Sequence, residues 1–277
     1  MNSEALLKQY ADTGLKIPEY QFNKLTPYLK KTYLRKMVIA AEYGTNLTYE
    51  MDYFSEENQV KIVGKNHETF KYIENPSEEV QLAAVKKIGM FIASIKNPSE
   101  KVQIAAVSQN GFSIKNIENP SEEVQIAAVQ NTFESIKYIK NPSEEVQLAA
   151  SRFNAEAIKY IENPTEKVQL VAVEKYPFAI SYIKNPSEQL QIAAVQKGSV
   201  IIRFIDNPSE QVKLAAVRSN VEALKYIIKP SEEVQLAALQ KDINAIKYIF
   251  RPTDTVQKIY DDLKDFNENI DRIKELL

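Results

Sequence analysis

Lysine stands beside tyrosine at regular intervals along this chain: Lys71-Tyr72, Lys137-Tyr138, Lys159-Tyr160, Lys225-Tyr226 and Lys247-Tyr248, with Arg203-Phe204 in the same phase. Cations interleaved with aromatic rings are what single-stranded nucleic acid requires, charge for phosphate and π-faces for bases. The competing reading packs the rings between structural units and leaves the lysines as a solvated row, with Glu78, Glu100, Glu122 and Glu144 as counter-charge. A second basic element, 20–41, contains no acid and carries Lys24, Lys30, Lys31, Arg35 and Lys36. It would meet phosphate or an acidic protein, or form a solvated helix face.

Catalytic chemistry finds little footing. The single histidine, His67, has no second histidine to join it, and the absence of cysteine removes disulfides, thiolate nucleophiles and zinc–thiolate sites. No glycine-rich phosphate loop or nucleophile elbow occurs. The expectation is a protein that is not an enzyme, with no cofactor and no metal.

What positions these residues is a repeat. Prolines fall at 76, 98, 120, 142, 164, 186, 208, 230 and 252, always 22 apart. A fixed period of this kind marks a solenoid or a related array. "SEENQV" at 55–60 lies one period before "SEEVQL", so 53–74 is a degenerate first copy with Phe54 in place of proline. The organisation expected is a helical N-terminal region at 1–52, nine repeats over 53–250, and a C-terminal capping helix at 251–277.

Each repeat reads as two helices. "NPSE" predicts a start, with Asn75 as N-cap, Pro76 at the first helical position and Glu78 reaching back to the cap. The first helix would run from about Pro76 to Lys87, with Val80, Ala83 and Ala84 on one apolar face and Leu82 and Val85 on another. A second helix would begin near 88, where Asn66, Asn110, Thr132, Asn154, Asn220 and Asp242 are suitable caps. Its core column is isoleucine throughout: 73, 95, 117, 139, 161, 183, 205, 227 and 249. So short a helix is unstable alone in water, and stacked neighbours must supply its burial.

Comparison of the copies separates two kinds of column. The glutamines at 81, 103, 125, 147, 169, 191 and 235 read as a structural hydrogen-bond ladder. The column Glu74, Lys96, Glu118, Lys140, Glu162, Lys184, Asp206 alternates in sign, which would favour correct register. Two other columns vary freely: Lys86, Ser108, Gln130, Arg152, Glu174, Gln196, Arg218, Gln240, and Glu79, Lys101, Glu123, Glu145, Lys167, Gln189, Gln211, Glu233. They lie about 20° apart on a helical wheel at ~100° per residue. Positions free to differ while stacking positions stay fixed are candidates for reading a partner. Arg152 and Arg218 stand out, because arginine is enriched among interface anchors.

The run "IKYIENPSEEVQLAAV" resembles the junction of a HEAT repeat: an apolar helix end, an Asn/Asp-Pro turn, then Val-polar-x-Ala-Ala. "AAVSQNG" at 105–111 is similar to short bacterial and phage α-solenoid repeats of unassigned function. The chain departs from HEAT in length, since those units run to ~40 residues, and in carrying glutamine where arginine usually follows the valine. The resemblance implies a right-handed α-solenoid, all-α, with the first helix of each repeat on the concave side and the second on the convex side. It implies a non-catalytic scaffold binding another protein along the concave surface. The alternatives are a nucleic-acid-binding solenoid using Lys30, Lys31, Arg35, Lys36, Lys137, Tyr138, Lys159, Tyr160, Arg203, Lys225 and Tyr226, and a phage-encoded inhibitor or regulator of a host protein.

Composition fits a foldable chain: 277 residues, 44% hydrophobic, 26% charged and a net charge of −2. That balance gives no strong pull toward nucleic acid or anionic membrane. No apolar run approaches the ~18 residues of a membrane span, so a cytoplasmic location without membrane contact is expected. Plentiful Tyr, Ile, Lys, Asn and Glu without Trp point to an AT-rich microbial or phage coding bias.

Overall fold

The computed structural model describes residues 24–28, 30, 31 and 54–276, with side chains up to Asn269. The rest of the expected N-terminal region 1–52, including Arg35 and Lys36, lies outside the described residues. Among the described residues the chain forms 19 helices and no strand. The α-helices are α1 (Glu56–Lys65), α2 (Glu78–Lys87), α3 (Glu100–Gln109), α4 (Glu122–Asn131), α5 (Glu144–Phe153), α6 (Glu166–Lys175), α7 (Glu188–Lys197), α8 (Glu210–Ser219), α9 (Glu232–Lys241) and α10 (Asp254–Leu276). Between them run six-residue 3-10 helices: η1 (His67–Tyr72), η2 (Gly89–Ser94), η3 (Gly111–Asn116), η4 (Phe133–Tyr138), η5 (Ala155–Tyr160), η6 (Pro177–Tyr182), η7 (Ser199–Phe204), η8 (Val221–Tyr226) and η9 (Ile243–Tyr248).

The second helix of each repeat is therefore 3-10 rather than α. Its backbone closes at three residues, as in Phe91 N–H to Ile88 C=O at 3.0 Å and Ile95 N–H to Ile92 C=O at 3.1 Å. Length explains the choice. Six residues rising ~2.0 Å each cover ~12 Å, nearly the ~15 Å of a ten-residue α-helix. A 22-residue unit has no room for two full α-helices and two turns. Ile92 within the 3-10 helix and Ile95 just past its end are both buried. The isoleucine column is buried in all nine copies and caps each 3-10 helix in extended conformation.

The start signal also differs from expectation. The α-helices begin at the glutamate, with Ser77 or its counterpart as N-cap. The hydroxyls of Ser99, Ser121, Ser143, Thr165, Ser187, Ser209 and Ser231 accept the N–H three residues on. Asparagine instead turns the chain: Asn97, Asn119, Asn141, Asn185 and Asn207 hold φ of 47 to 51°, the left-handed region its short polar side chain tolerates. Proline follows, and its carbonyl accepts from the glutamine Nε2 five residues ahead, at 2.8 Å from Gln81 and 3.0 Å from Gln147. The glutamine column is thus a staple within the seven repeats that carry it at 81, 103, 125, 147, 169, 191 and 235. It does not bond glutamine to glutamine.

Two compact units divide the chain, Met1–Asn141 and Pro142–Leu277. Within each unit every α-helix packs on the next, and each 3-10 helix fills the step between two of them. The fully buried positions in α2 are Val80, Ala84 and Val85, and their equivalents recur through both units, whereas Ala83 is half-buried. Each fully buried valine contributes ~1.5–3 kcal/mol relative to exposure. In the second unit one continuous core runs from Ala155 to Val256. This is the packing of an α-solenoid.

Neighbouring copies are also joined by polar contacts. The hydroxyls of Ser99, Ser121, Ser209 and Ser231 each donate to the first-turn glutamate of the preceding repeat, at Glu78, Glu100, Glu188 and Glu210. At the other helix end, Lys175 donates to the carbonyls of Arg152 and Phe153, Lys241 to that of Arg218, and Asn131 to that of Ser108. These donors satisfy carbonyls that a helix C-terminus leaves without intrahelical partners.

Candidate partner-binding faces

The variable strip of the α-helices is exposed along its whole length. Glu79, Lys86, Lys101, Gln130, Arg152, Lys167, Glu174, Gln196, Arg218 and Gln240 all lie at the surface. Alternation of buried valine and alanine with these polar residues turns the strip outward.

Its charges are not equivalent. Lys101 bridges to the previous repeat, reaching Glu79 at 3.2 Å and Glu78 at 3.6 Å, and Lys167 reaches Glu144 at 3.2 Å. The Ser99 hydroxyl, helped by Lys101, holds the Glu78 carboxyl below its ordinary value. Thr165 and Lys167 do the same for Glu144. Among the described residues neither Arg152 nor Arg218 has an ion-pair partner. Arg218 edges a groove of about 390 Å³ between α7 and α8, floored by Ile192 and Ala215 and flanked by Gln196, Gln211 and Ser219.

On the 3-10 side the aromatic row is half out of water: Tyr138 is 43% exposed, and Tyr160, Tyr182, Phe204 and Tyr226 are each 40%. The cations lie over rings of their own and neighbouring repeats. Lys137 sits 5.1 Å from the Tyr138 centroid and 5.5 Å from Phe112, Lys159 4.8 Å from Tyr182, Arg203 5.6 Å from Tyr226, and Lys225 4.7 Å from Tyr248. Several are also neutralised locally. Lys71 pairs with Glu68, Lys159 with Glu156 and Lys225 with Glu222, each three residues earlier, and the glutamates raise all three ammonium groups above their ordinary value. A groove of about 600 Å³ opens between η5 and η6 beside Tyr160, Tyr182 and Lys184.

Of the basic N-terminal cluster, Lys31 is exposed and Lys30 half-buried on a short helical stretch, where Lys30 N–H bonds the Thr26 carbonyl at 2.9 Å. His67 opens η1, 3.7 Å from Glu68 and edge-tilted to Phe91 at 5.8 Å. Among the described residues no cluster of His, Cys, Asp or Glu could hold a metal, and no helix is long and apolar enough to cross a membrane.

The alternating-charge column shows no ion pair between Lys96, Glu118 and Lys140 among the described residues, so register is held elsewhere. Two residues missed in the sequence close this column. Where seven copies carry a charge, the last two carry Ile228, 86% exposed, and Phe250, 90% exposed. The signal was present as a switch from charge to apolar within one column.

The chain is a helical-repeat protein of α-solenoid class with a 22-residue unit. No family model, curated protein or solved structure matches it.

Proposed function

We propose that this chain is a non-catalytic scaffold of short HEAT-like repeats that binds another protein along the exposed strip of its α-helices. The observation that carries the reading is a pair of arginines on this strip that have no carboxylate partner among the described residues. The strip holds Arg152 and Arg218 without ion-pair partners among the described residues, Arg218 at the edge of a groove with an apolar floor. On the opposite row, Lys71, Lys159 and Lys225 are closed by glutamates of their own repeats. An arginine beside a small apolar floor suits a protein anchor, whereas paired lysines release few counterions from a phosphate backbone. Exposed Ile228 and Phe250 favour a protein partner as well. The composition suggests a microbial or phage source, so a host polypeptide that the chain inhibits or regulates is the partner class to seek first.

The test replaces Arg152 and Arg218 together by Glu and compares affinity capture from lysate, with mass spectrometry and the 260/280 nm absorbance ratio. One polypeptide retained by the parent chain and lost by the variant, with stability unchanged within ~1 kcal/mol, supports the proposal. Capture at full strength by the variant overturns the strip as the site. Co-purifying nucleic acid shifts the function to the Lys–Tyr row.

A further inference from the structure

The last two turns of the array depart from the others at the same two positions. Seven turns place a charge and then asparagine before the next helix, as in Glu74-Asn75 and Asp206-Asn207. The last two place Ile228-Lys229 and Phe250-Arg251 there. Both departures are unfavourable to the fold. Ile228 and Phe250 hold large apolar side chains in water, 86% and 90% exposed. Lys229 holds φ of 51°, a region that suits the short polar side chain of asparagine better. Unfavourable residues gathered at adjoining positions point to a use other than stacking.

The two turns adjoin, since they lead into α9 and α10, which pack together. Around them the charge is one-sided. The stretches 223–231 and 243–253 contain no acid and carry Lys225, Lys229, Lys247 and Arg251, all exposed. Lys225 pairs with Glu222. Lys229, Lys247 and Arg251 have no ion pair among the described residues. Arg251 lies 5.5 Å from the Phe250 ring centroid, and Tyr226 adds a ring that is 40% exposed. The result is a pair of apolar tips framed by cations.

We propose that this patch docks an acidic segment of another protein, one that carries at least two apolar side chains among its carboxylates. Charge complementarity sets the sign. Lys229, Lys247 and Arg251 call for carboxylates, and the guanidinium fork can take one bidentately. Neighbouring helices stand ~8–10 Å apart, so the apolar anchors of the segment must be spaced by about that distance. Other occupants fit less well. Nucleic acid would supply phosphates, but Ile228 has no ring on which a base could stack. An anionic bilayer is broad and would also meet Glu210, Glu232, Glu233 and Asp254, the first-turn acids of helices that start beside these turns. A second copy joined patch to patch about a two-fold axis would set like charges together. The patch is separate from the strip of Arg152 and Arg218, so the proposal does not rest on what that strip binds.

Selection from a library of short random peptides on the immobilised full chain tests the proposal. Enriched peptides should combine Asp or Glu with two or more apolar residues. Measured singly by fluorescence anisotropy, they should bind the Lys229→Glu/Arg251→Glu and Ile228→Ser/Phe250→Ser variants at least ~tenfold more weakly than the parent. Both variants change only exposed side chains and should keep the parent melting temperature. Exchanging the peptide's acids for lysine should restore binding to the Lys229→Glu/Arg251→Glu chain. A library that yields no acidic binder overturns the proposal, as do acidic peptides that bind both variants as tightly as the parent. Binding of the parent, but not the variants, to vesicles of equal parts phosphatidylserine and phosphatidylcholine, with no acidic peptide enriched, assigns the patch to a membrane and overturns it. A parent dimer in light scattering that either variant reduces to single chains assigns the patch to a second copy, and equally overturns it.

Discussion

The Ser209 hydroxyl faces two repeats at once: it accepts the Val212 N–H at 3.3 Å as N-cap of its own helix and donates to the Glu188 carboxylate of the helix before. Ser99 and Glu78, Ser121 and Glu100, and Ser231 and Glu210 repeat the arrangement. One side chain therefore both starts an α-helix and ties it to its neighbour. Ser209→Ala removes both bonds. A loss of ~0.5–2 kcal/mol is expected for the cap alone, read by urea denaturation, and Ser209→Thr should restore most of it. Equal stability of the alanine variant would show that the cap contributes nothing.

The same contacts set an acid limit. Ser99 holds the Glu78 carboxyl below the ordinary 4.5, Thr165 and Lys167 lower Glu144, and Lys225 with the Tyr248 hydroxyl lowers Glu222. A carboxyl depressed in the folded state contributes stability that is complete above its unfolded value and disappears as pH falls through its folded value. Melting temperature should therefore hold near neutrality and fall progressively below about pH 4.5, the ordinary value of these groups. Glu78→Gln should shallow that fall. A slope unchanged by the substitution would remove Glu78 from the account.

Some buried positions are poorly filled. Ser113 and Ser135 are fully buried with no hydrogen-bond partner, while the same column holds alanine at 157, 179, 223 and 245. Ser151 is likewise buried and unpartnered in a column that is valine at 85, 107, 129, 173, 195 and 217. A buried hydroxyl without a partner costs ~1–3 kcal/mol. Ser135→Ala should accordingly raise stability by about 1 kcal/mol, measured by chemical denaturation. A destabilised alanine variant would mean that the hydroxyl is satisfied in solution.

The repeat was legible because a proline every 22 residues and an invariant isoleucine column are local, periodic facts. The helix starts were misassigned because "NPSE" holds two good caps. What decides between the asparagine and the serine is the turn: Asn97, Asn119, Asn141, Asn185 and Asn207 occupy the left-handed region, and proline's carbonyl is committed to glutamine. The 3-10 geometry was hidden because Ile92 and Ile95, three apart, suit either helix type. Surface columns showed themselves by varying within the chain. Which charges pair was not readable, because it depends on how far apart stacked copies lie. Lys101 finds Glu79 one repeat back, while Arg152 and Arg218 find no carboxylate among the described residues.

Close approach is required at Gly89 and Gly111. A Cβ on Gly111 would stand 2.5 Å from the Ala128 carbonyl oxygen, which is backbone and cannot swing aside, and the Gly111 N–H bonds Asn131 Oδ1 at 2.7 Å. Gly111→Ala must push η3 and α4 apart, at a cost of ~1–3 kcal/mol typical of overpacking. Because solenoid contacts are between neighbours, hydrogen exchange should quicken around η3 and α4 and stay slow in α8 and α9. Uniform acceleration across both units would contradict nearest-neighbour packing.

Lys229 occupies the turn position that asparagine fills in earlier copies, with φ of 51°, and its side chain is exposed. A long side chain gains no local hydrogen bond there, whereas the left-handed region costs an ordinary L-residue ~1–2 kcal/mol. Lys229→Asn should therefore stabilise by roughly 0.5–1 kcal/mol, and Lys229→Gly by a similar amount or less, since glycine also loosens the unfolded chain. Lys229→Val, β-branched and unable to hold this φ without strain, should destabilise. The ranking Asn, Lys, Val in thermal midpoint is the expected result, and a valine variant as stable as the asparagine one would show that this turn does not constrain the backbone.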